Sequence, residues 1–332
     1  MRVIRFKEPV SILSWGSVAS KKEASGPLKS YFDVVNSDTS FGEKTWEKAE
    51  SKILATAVDT ALNKVGLKYR DIDLILAGDL MNQCIASTFA IREMDIPFLG
   101  LYGACSTMAE SLCVGSVFVN GGVKRALCAT SSHFCSSERQ YRFPLEYASM
   151  RTPTSQWTVT GGGAVVLEKN SSPPYIKEVL VGKVEDLGIK DANNMGAAMA
   201  PAAASTLKTF FDETATAPDD YDAIFTGDLG AVGSELLYQL LEREKINIRT
   251  RHKDCGVMIF DPKKQSNIHA GGSGCGCSAS VLCSYILGEL KKGSLKDVLF
   301  IATGALLSPT STQQGESIPA VAHLVHISME RD

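Results

Sequence analysis

Gly103-Ala104-Cys105-Ser106-Thr107 joins two apolar segments and indicates how the first half of the chain folds. The apolar run at 96–101 predicts a short buried strand, and the small-residue run at 108–119 predicts a buried helix. The sulfur of Cys105 is therefore expected at a helix N-terminus, where unpaired N–H groups and the helix dipole favour a thiolate and a bound anion. This layout suits a nucleophilic cysteine, but it is also a common packing corner, and the pattern leaves both roles open.

Size and charge limit the classes of function. The chain has 332 residues, enough for two domains, and its net charge of -3 gives no bulk electrostatic reason to bind nucleic acid or an anionic membrane. The first ten residues lack the apolar segment of a signal peptide, and no stretch approaches 18 uninterrupted apolar residues. We therefore expect no nucleic-acid partner and no transmembrane helix, with any membrane association made through a partner protein.

The nine cysteines are expected to be free thiols. Nine is an odd number, so at least one is unpaired, and Cys113, Cys128 and Cys283 lie within apolar runs. This usage predicts a reducing compartment. Cys275-Gly276-Cys277 lacks zinc-site spacing and has no second pair, so we expect it to pack a tight helix start and predict no metal site.

The chain contains an internal repeat. The segments 73–80 and 222–229 share Asp, Ile, Gly, Asp and Leu at a constant offset of 149 residues, and each is an apolar strand ending in Gly-Asp after a helical run. The segments 126–130 and 298–303 are the corresponding later strands. A period this long predicts a duplicated α/β domain rather than a solenoid. We place the two halves at 1–170 and 171–332, with a linker in the Ser/Pro-rich stretch between strands.

Two segments fit neither half. The polar stretch 21–45 predicts a surface excursion, and we expect changes at Lys21 or Lys22 to have no effect on function. The stretch 134–158 is long for a plain loop. This stretch either covers a site or forms an interface, or else it is a solvated surface insertion. The sequence does not decide between the functional and the solvated role.

At the level of whole motifs the chain resembles the thiolase superfamily, which includes thiolases and β-ketoacyl synthases. The resemblance covers nearly the whole chain and is carried by the duplicated halves together with four runs: Gly103-Ala104-Cys105-Ser106, 160–166, 193–202 and 272–279. It implies a thiolase-like α/β fold of two pseudo-symmetric halves in an αβαβα layering. It also implies a homodimer, for which the strand 126–130 is a candidate contact across a twofold axis.

Three runs show a closer resemblance, to a family of sporulation proteins from spore-forming bacteria. They are Ser14-Trp15-Gly16-Ser17, the 103–107 elbow and the glycine-rich turn at 271–279. This resemblance implies binding of dipicolinic acid (pyridine-2,6-dicarboxylate), alone or as its calcium complex, and its uptake into the forespore. It further implies work with other stage V sporulation membrane proteins, and a cytoplasmic location or a peripheral one at the forespore or spore inner membrane. No cofactor is implied.

The resemblance also permits a cysteine-dependent acyl-CoA condensing enzyme or acyltransferase, which needs histidine or asparagine beside the thiolate. A gap-free alignment of 277–291 with the last catalytic helix of the superfamily puts Ser273 at the histidine position, and the other family histidine falls near Gly227. Slipping the alignment by four residues brings in His269 but loses the matches at Gly276 and Ser278. We therefore expect a binding protein without catalytic residues.

The expected ligand site combines backbone N–H groups at the elbow with hydroxyl, imidazole and apolar groups from neighbouring motifs, because a planar dicarboxylate needs donors at both ends and flat walls. The acidic members of this set are expected to cap the helices that follow them rather than to face a dianion. The predicted ligand-binding residues are Cys105, Ser106, Ser131, Ser132, His133, Trp157, Thr160, His269, Gly272, Ser273, Asp79 and Asp228.

Overall fold

The structure is a computed structural model that describes residues 2–141, 151–169 and 172–331. Its strands are Ile4–Ser20 (β1), Val34–Asn36 (β2), Leu74–Gly78 (β3), Phe98–Gly100 (β4), Arg125–Ser132 (β5), Trp157–Thr158 (β6), Gly161–Lys169 (β7), Tyr175–Leu180 (β8), Ala223–Thr226 (β9), His252–Asp254 (β10), Gly272–Ser273 (β11), Asp297–Ala305 (β12) and Ala320–Ser328 (β13). Its helices are Trp46–Asn63 (α1), Ile85–Ile91 (α2), Thr107–Asn120 (α3), Phe134–Tyr141 (α4), Met195–Thr214 (α5), Gly230–Arg243 (α6), Cys255–Ile259 (α7), Cys275–Val281 (α8), Leu287–Lys292 (α9) and Pro309–Gln313 (α10). A π-helical turn joins α8 to α9.

The order of strands in the main sheet is symmetric about its centre. The path runs β10-β9-β12-β13-β8-β1-β7-β5-β3-β4, with β1 and β8 forming the central antiparallel pair. In each half a parallel trio (β4-β3-β5 or β10-β9-β12) is followed by an antiparallel strand, β7 or β13. The strands β3 and β9 therefore occupy equivalent positions, which confirms the predicted duplication.

The equivalence extends to single side chains. The Asp73 N–H donates to the Arg125 carbonyl at 3.1 Å, while its carboxylate accepts from the Arg125 N–H at 2.9 Å. Asp222 makes the same two bonds to Asp297, at 2.9 and 3.0 Å. Each aspartate thus fixes the register of two parallel strands at their N-terminal ends.

Helices cover both outer faces and fill the space between the half-sheets. Helix α1 packs its apolar stripe, including Ile53 and Leu54, against β3, β5 and β7, while α5 and α6 pack against the opposite half-sheet through residues such as Phe210. The helices α3 and α8 lie between the halves in the largest buried cluster. This order of layers is the predicted αβαβα arrangement of a thiolase-like fold.

Two expectations about edges and surfaces need correction. Strand β5, which contains the proposed dimer strand 126–130, lies between β3 and β7, so its backbone is already paired on both sides. The exposed ends of the sheet are β4 and β10. The excursion 21–45 adds β2, which pairs with β1, and its Lys22 is half-buried rather than fully exposed.

The predicted boundary between halves falls on Asn170 and Ser171, which lie outside the described residues, as does 142–150 of the predicted insertion. Within the described part of the chain, no helix combines the length and the apolar character needed to cross a bilayer.

Close packing of α8 on β7 gives a test of the fold. A Cβ at Gly163 would lie 2.5 Å from the Ala279 carbonyl oxygen and 2.8 Å from the Cys283 sulfur. We expect Gly163→Ala to lower the free energy of unfolding by about 1–3 kcal/mol, because the central helix must move away from the sheet. The measurement is urea unfolding, with Gly288→Ala as the matched control, since a Cβ at Gly288 meets nothing within 4 Å. Equal stability of the two variants would contradict this packing.

Candidate functional site

The strand, turn and helix of the elbow form where the sequence predicts them, but β4 is a largely exposed strand at the edge of the sheet and not the buried strand that we predicted. Strand β4 ends at Gly100, a 3₁₀ turn covers Ala104–Ser106, and α3 begins at Thr107. Ala104 has a φ of 53°, a left-handed conformation that is uncommon for a residue with a Cβ. Backbone of this kind persists where the surrounding structure enforces it and is frequent at functional sites. Cys105 follows directly and is 8% exposed.

The thiol of Cys105 faces the second half of the chain. Its sulfur lies 3.9 Å from the Ser273 hydroxyl oxygen. That hydroxyl donates to the Asp228 carboxylate at 3.1 Å, and the Gly274 N–H donates to the same oxygen at 2.8 Å. The Cys105 thiol, the Ser273 hydroxyl and the Asp228 carboxylate therefore form a row of polar groups that joins the first half of the chain to the second. Thr303 donates to the second carboxylate oxygen at 3.4 Å.

Burial affects the protonation of Cys105 and Asp228. It raises the pKa of the Cys105 thiol well above its ordinary value, and the negative charge of Asp228 raises it further. Burial also raises the pKa of Asp228 to about 7, although hydrogen bonds from Cys105 and Gly274 oppose the shift. Desolvation and a neighbouring carboxylate thus oppose the thiolate that the helix N-terminus favours.

A cavity of about 60 Å³ opens beside Cys105 and Ser273, and we call it the Cys105 cavity. Its wall is mostly apolar with a few hydroxyl and carboxyl groups. The other described lining residues are Leu80, Ala104, Ser137, Glu138, Tyr141, Thr158, Met195, Met199, Ala305 and Leu307. The Tyr141 hydroxyl donates to the Leu80 carbonyl at 2.5 Å, which ties α4 across the cavity wall.

Glu138, the acidic residue among the described lining residues of the Cys105 cavity, is paired with a positively charged side chain. The Glu138 carboxylate accepts from the Thr158 hydroxyl at 2.9 Å and pairs with the Arg151 guanidinium at 3.0 Å. Arg151 also donates to the Gln156 carbonyl at 2.7 Å. Gln156 in turn donates to the carbonyls of Asp228 and Gly272, at 2.6 and 2.9 Å. The stretch 151–158 thus links α4 to the Asp228 turn.

A second cavity lies on the other side of α4 and β6, and we call it the Trp157 chamber. Its volume is about 390 Å³. Trp157 stacks on Phe134 with ring centroids 4.0 Å apart, and the Lys22 ammonium lies 3.5 Å from the Trp157 centroid. The described lining residues are Ser20, Lys21, Lys22, Glu23, Ser25, Thr39, His133, Phe134, Cys135, Trp157 and Thr160.

The predicted ligand residues thus divide between two places instead of lining one cleft. Cys105 and Ser273 line the Cys105 cavity, with Asp228 directly behind Ser273. The chamber takes three others, His133, Trp157 and Thr160. His269 is exposed, its φ is 48°, and it lines neither cavity.

The remaining predicted residues are part of the framework, and none of them is among the described residues that line either cavity. Ser106 donates to the Gly103 carbonyl at 2.7 Å, and Ser132 donates to the Val159 carbonyl at 2.7 Å. Ser131 is fully buried, and Gly272 pairs with Trp157 in the short ladder of β6 and β11. The hydroxyls of Ser106 and Ser132 are used within the fold, whereas the buried Ser131 hydroxyl has no hydrogen-bond partner among the described residues. Sequence proximity to the elbow therefore did not place these residues in a cavity wall.

The two aspartates of the repeat have different roles. The Asp79 carboxylate accepts from the N–H of Ser87 at 2.8 Å, in the first turn of α2, which is the capping role that we predicted. Asp228 does not cap α6. The N–H groups of Leu229 and Gly230 donate instead to Asp254, at 2.8 and 3.0 Å, and this frees the Asp228 carboxylate to face Ser273.

None of the described residues that line the Cys105 cavity is a histidine, and the buried histidines have partners in other parts of the fold. His133 lies 2.8 Å from the Thr39 carbonyl, and burial lowers its pKa. Burial lowers the pKa values of His252 and His323 to about 4, so both are neutral near pH 7. His326 contacts Glu178 and Asp297 at 3.0 and 2.5 Å.

Sequence reasoning missed the far wall of the Cys105 cavity. Met195 and Met199 come from α5 in the second half, and Ser137 comes from α4. One usable signal was the long stretch 134–158, whose described part forms walls of both cavities. The methionines gave no signal, because a helical apolar pattern looks the same whether it faces a core or a cavity.

Comparison with known proteins agrees with this architecture. The family model described as stage V sporulation protein AD (SpoVAD) matches residues 1–328. The stage V sporulation protein AD of Bacillus subtilis (strain 168) is 47% identical over 319 residues, covering 96% of this chain and 94% of that protein.

Solved structures show the same fold at low sequence identity. Cerulenin-bound OleA of Xanthomonas campestri has a TM-score of 0.62 at 12% identity and covers 98% of each chain. The 3-oxoacyl-(acyl carrier protein) synthase III, FabH, of Pseudomonas aeruginosa PAO1 has a TM-score of 0.57 at 12% identity, covering 96% of this chain and 98% of that one. The fold is thiolase-like, and the chain belongs to the stage V sporulation protein AD family.

Proposed function

We propose that this protein binds dipicolinic acid and supports its uptake into the developing forespore, without covalent catalysis. The observation that carries the proposal is the state of Cys105. Its neighbours across the cleft are the Ser273 hydroxyl and the Asp228 carboxyl, no described histidine lines its cavity, and burial raises the pKa of the thiol. A site of this kind retains a shaped cavity and polar donors but lacks an activated nucleophile.

The alternative is an acyl-CoA condensing enzyme, which the likeness to synthase structures favours. Condensation needs a group beside the thiol that accepts a proton near pH 7 and a donor that holds the thioester oxygen. Ser273 occupies the place next to the sulfur, and a serine hydroxyl does not act as a base there. Asp228, whose pKa is about 7, lies beside both Ser273 and Cys105 and can accept a proton near pH 7, but once ionised its negative charge opposes thiolate formation and it cannot donate to a thioester oxygen.

In this proposal one end of dipicolinate is held at the Cys105 cavity. The Ser137 hydroxyl donates to a carboxylate, and so does the Ser273 hydroxyl when Asp228 behind it is protonated and donates to Ser273 instead of accepting from it. Met195 and Met199 supply apolar surface. A carboxylic acid that keeps its proton can donate to an anion, whereas an ionised one repels it. The ligand binds as the free dianion or as its calcium chelate.

The proposal includes a homodimer and membrane partners. Strand β4 ends the sheet of the first half, and Phe89, Leu99 and Tyr102 around it are 40%, 39% and 48% exposed. An edge strand with exposed apolar neighbours suits pairing with a second copy across a twofold axis. We place the protein in the cytoplasm or at the inner membrane of the forespore, where other stage V membrane proteins pass the ligand onward.

Calorimetric titration with dipicolinate tests the binding function. We expect Cys105→Phe and Ser273→Trp to weaken binding about ten- to hundredfold, because each fills the cavity and removes hydrogen bonds worth about 1.5–3 kcal/mol. Lys124→Ala, a change at an exposed lysine, is the control, and circular dichroism checks folding. Acetyl-coenzyme A serves as the competing ligand. Tight binding of the thioester with none of dipicolinate would favour the enzyme.

The pKa of Asp228 predicts the pH dependence of that affinity. The carboxyl carries its proton mainly below about pH 7 and loses it above. Since the ionised form repels the dianion, affinity should be highest below pH 7 and should fall by up to about tenfold per pH unit above it. Asp228→Asn should flatten the profile between pH 6 and 8.5. An equally steep profile in that variant would show that another group titrates.

Activity assays test the absence of catalysis. Losing a positioned base removes about 10²–10⁴-fold of rate, and here the thiol is also protonated. We therefore expect no measurable thiolysis of acetoacetyl-coenzyme A. We also expect Cys105 to react with iodoacetamide more slowly at pH 7 than free cysteine does. Turnover at rates ordinary for thiolases, lost in Cys105→Ala, would refute the binding-protein proposal.

A further inference from the structure

The Trp157 chamber contains groups that the Cys105 cavity does not use. One face of Trp157 is stacked on Phe134, with an angle of 14° between the rings. The Lys22 ammonium covers Trp157 at 3.5 Å from the ring centroid and donates to the Ser266 carbonyl at 3.0 Å. A cation on an aromatic face is held weakly near solvent, so it can move aside for a flat ring and then meet an anion on that ring.

The charge of the chamber wall favours an anion. Lys21 and Lys22 both line it, and the positive charge of Arg151 adds to burial in lowering the pKa of Lys22. The acidic lining residue, Glu23, is fully buried and is occupied by the Ser20 hydroxyl at 2.6 Å and the Thr160 N–H at 3.1 Å. Burial raises the pKa of Glu23, while hydrogen bonds from Ser20 and Thr160 and the charge of Lys22 act to lower it.

Size separates the two cavities. Small-molecule sites usually enclose about 300–1,000 Å³. The chamber, at about 390 Å³, lies within that range, whereas the Cys105 cavity, at about 60 Å³, holds a carboxylate group more readily than a whole ring. The larger space therefore combines an aromatic wall with two lysines.

Arg151 connects the two cavities. Its guanidinium lies 4.9 Å from the Trp157 centroid and pairs with Glu138, which lines the Cys105 cavity. The neighbours Trp157 and Thr158 on β6 line the chamber and the Cys105 cavity respectively. A ligand in the chamber is thus one side-chain layer away from the Cys105 cavity.

We infer that the Trp157 chamber is a second binding site, which takes planar aromatic carboxylates. The ligand ring stacks on Trp157 in place of the Lys22 ammonium, and its carboxylates bind Lys21 and Lys22. That dipicolinate is the ligand rests on the proposed function. The chamber itself follows from the aromatic stack, the lysines and the volume.

The test is calorimetric titration of the whole chain with dipicolinate and, as a second probe of the same shape, benzene-1,3-dicarboxylate. The variants are Lys22→Ala and Trp157→Leu, with Lys22→Arg and Trp157→Phe as conservative partners. Lys124→Ala controls for the loss of a positive charge elsewhere, and Ser273→Trp blocks the Cys105 cavity.

Wild-type protein is expected to bind two equivalents of dipicolinate. Lys22→Ala and Trp157→Leu should weaken one of them at least about tenfold, which corresponds to 1.4 kcal/mol. Lys22→Arg and Trp157→Phe should restore most of that affinity, and Ser273→Trp should spare it. A single equivalent that is lost in Lys22→Ala but kept in Ser273→Trp also supports the chamber.

Unchanged affinity and stoichiometry in Lys22→Ala and Trp157→Leu overturn the chamber as a site while leaving dipicolinate binding intact. Failure of wild-type protein to bind dipicolinate overturns the proposed function. If benzene-1,3-dicarboxylate then still binds, and Lys22→Ala removes it, the chamber stands as a site for aromatic carboxylates. If neither probe binds, both proposals fall.

Discussion

The packing of α3 and α8 between the two half-sheets is the constraint on which the site depends. Close approach requires small residues, and a Cβ at Gly276 would collide with backbone and side-chain atoms of Gly161 and Ser132. Because the two helices are held side by side in this layer, the residues at their starts converge. Cys105 and Ser273, which come from different halves, thereby reach 3.9 Å.

The same burial that creates this contact opposes ionisation of the Cys105 thiol. A thiol at a helix start gains from the dipole only if the thiolate is solvated or paired with a cation. Here Asp228 lies beside the thiol; its ionised form opposes thiolate formation, and burial raises its own pKa to about 7. This electrostatic setting is the basis of the proposal that the elbow binds a ligand without attacking it.

Much of the fold was predictable because duplication leaves a readable signal: the repeated Asp73 and Asp222 make identical bonds in both halves. The site was less predictable. The role of Asp228 depends on Asp254, a residue 26 positions later that caps α6 in its place. The role of Lys22 depends on Trp157, more than a hundred residues away. Contacts of this kind arise from topology, and no local pattern encodes them.

The two cavities arise where the duplication is broken. The connection from β5 to β7 spans 133–160, whereas the corresponding connection from β12 to β13 spans only 306–319. The longer connection supplies α4 and β6, whose opposite sides form walls of the Cys105 cavity and the Trp157 chamber. The symmetric layers thus fix the positions of the first residues of α3 and α8. The asymmetric connection from β5 to β7 determines which side chains surround them. We therefore expect ligand recognition to be altered most by changes in the described parts of this connection, 134–141 and 151–158, because they form walls of both cavities.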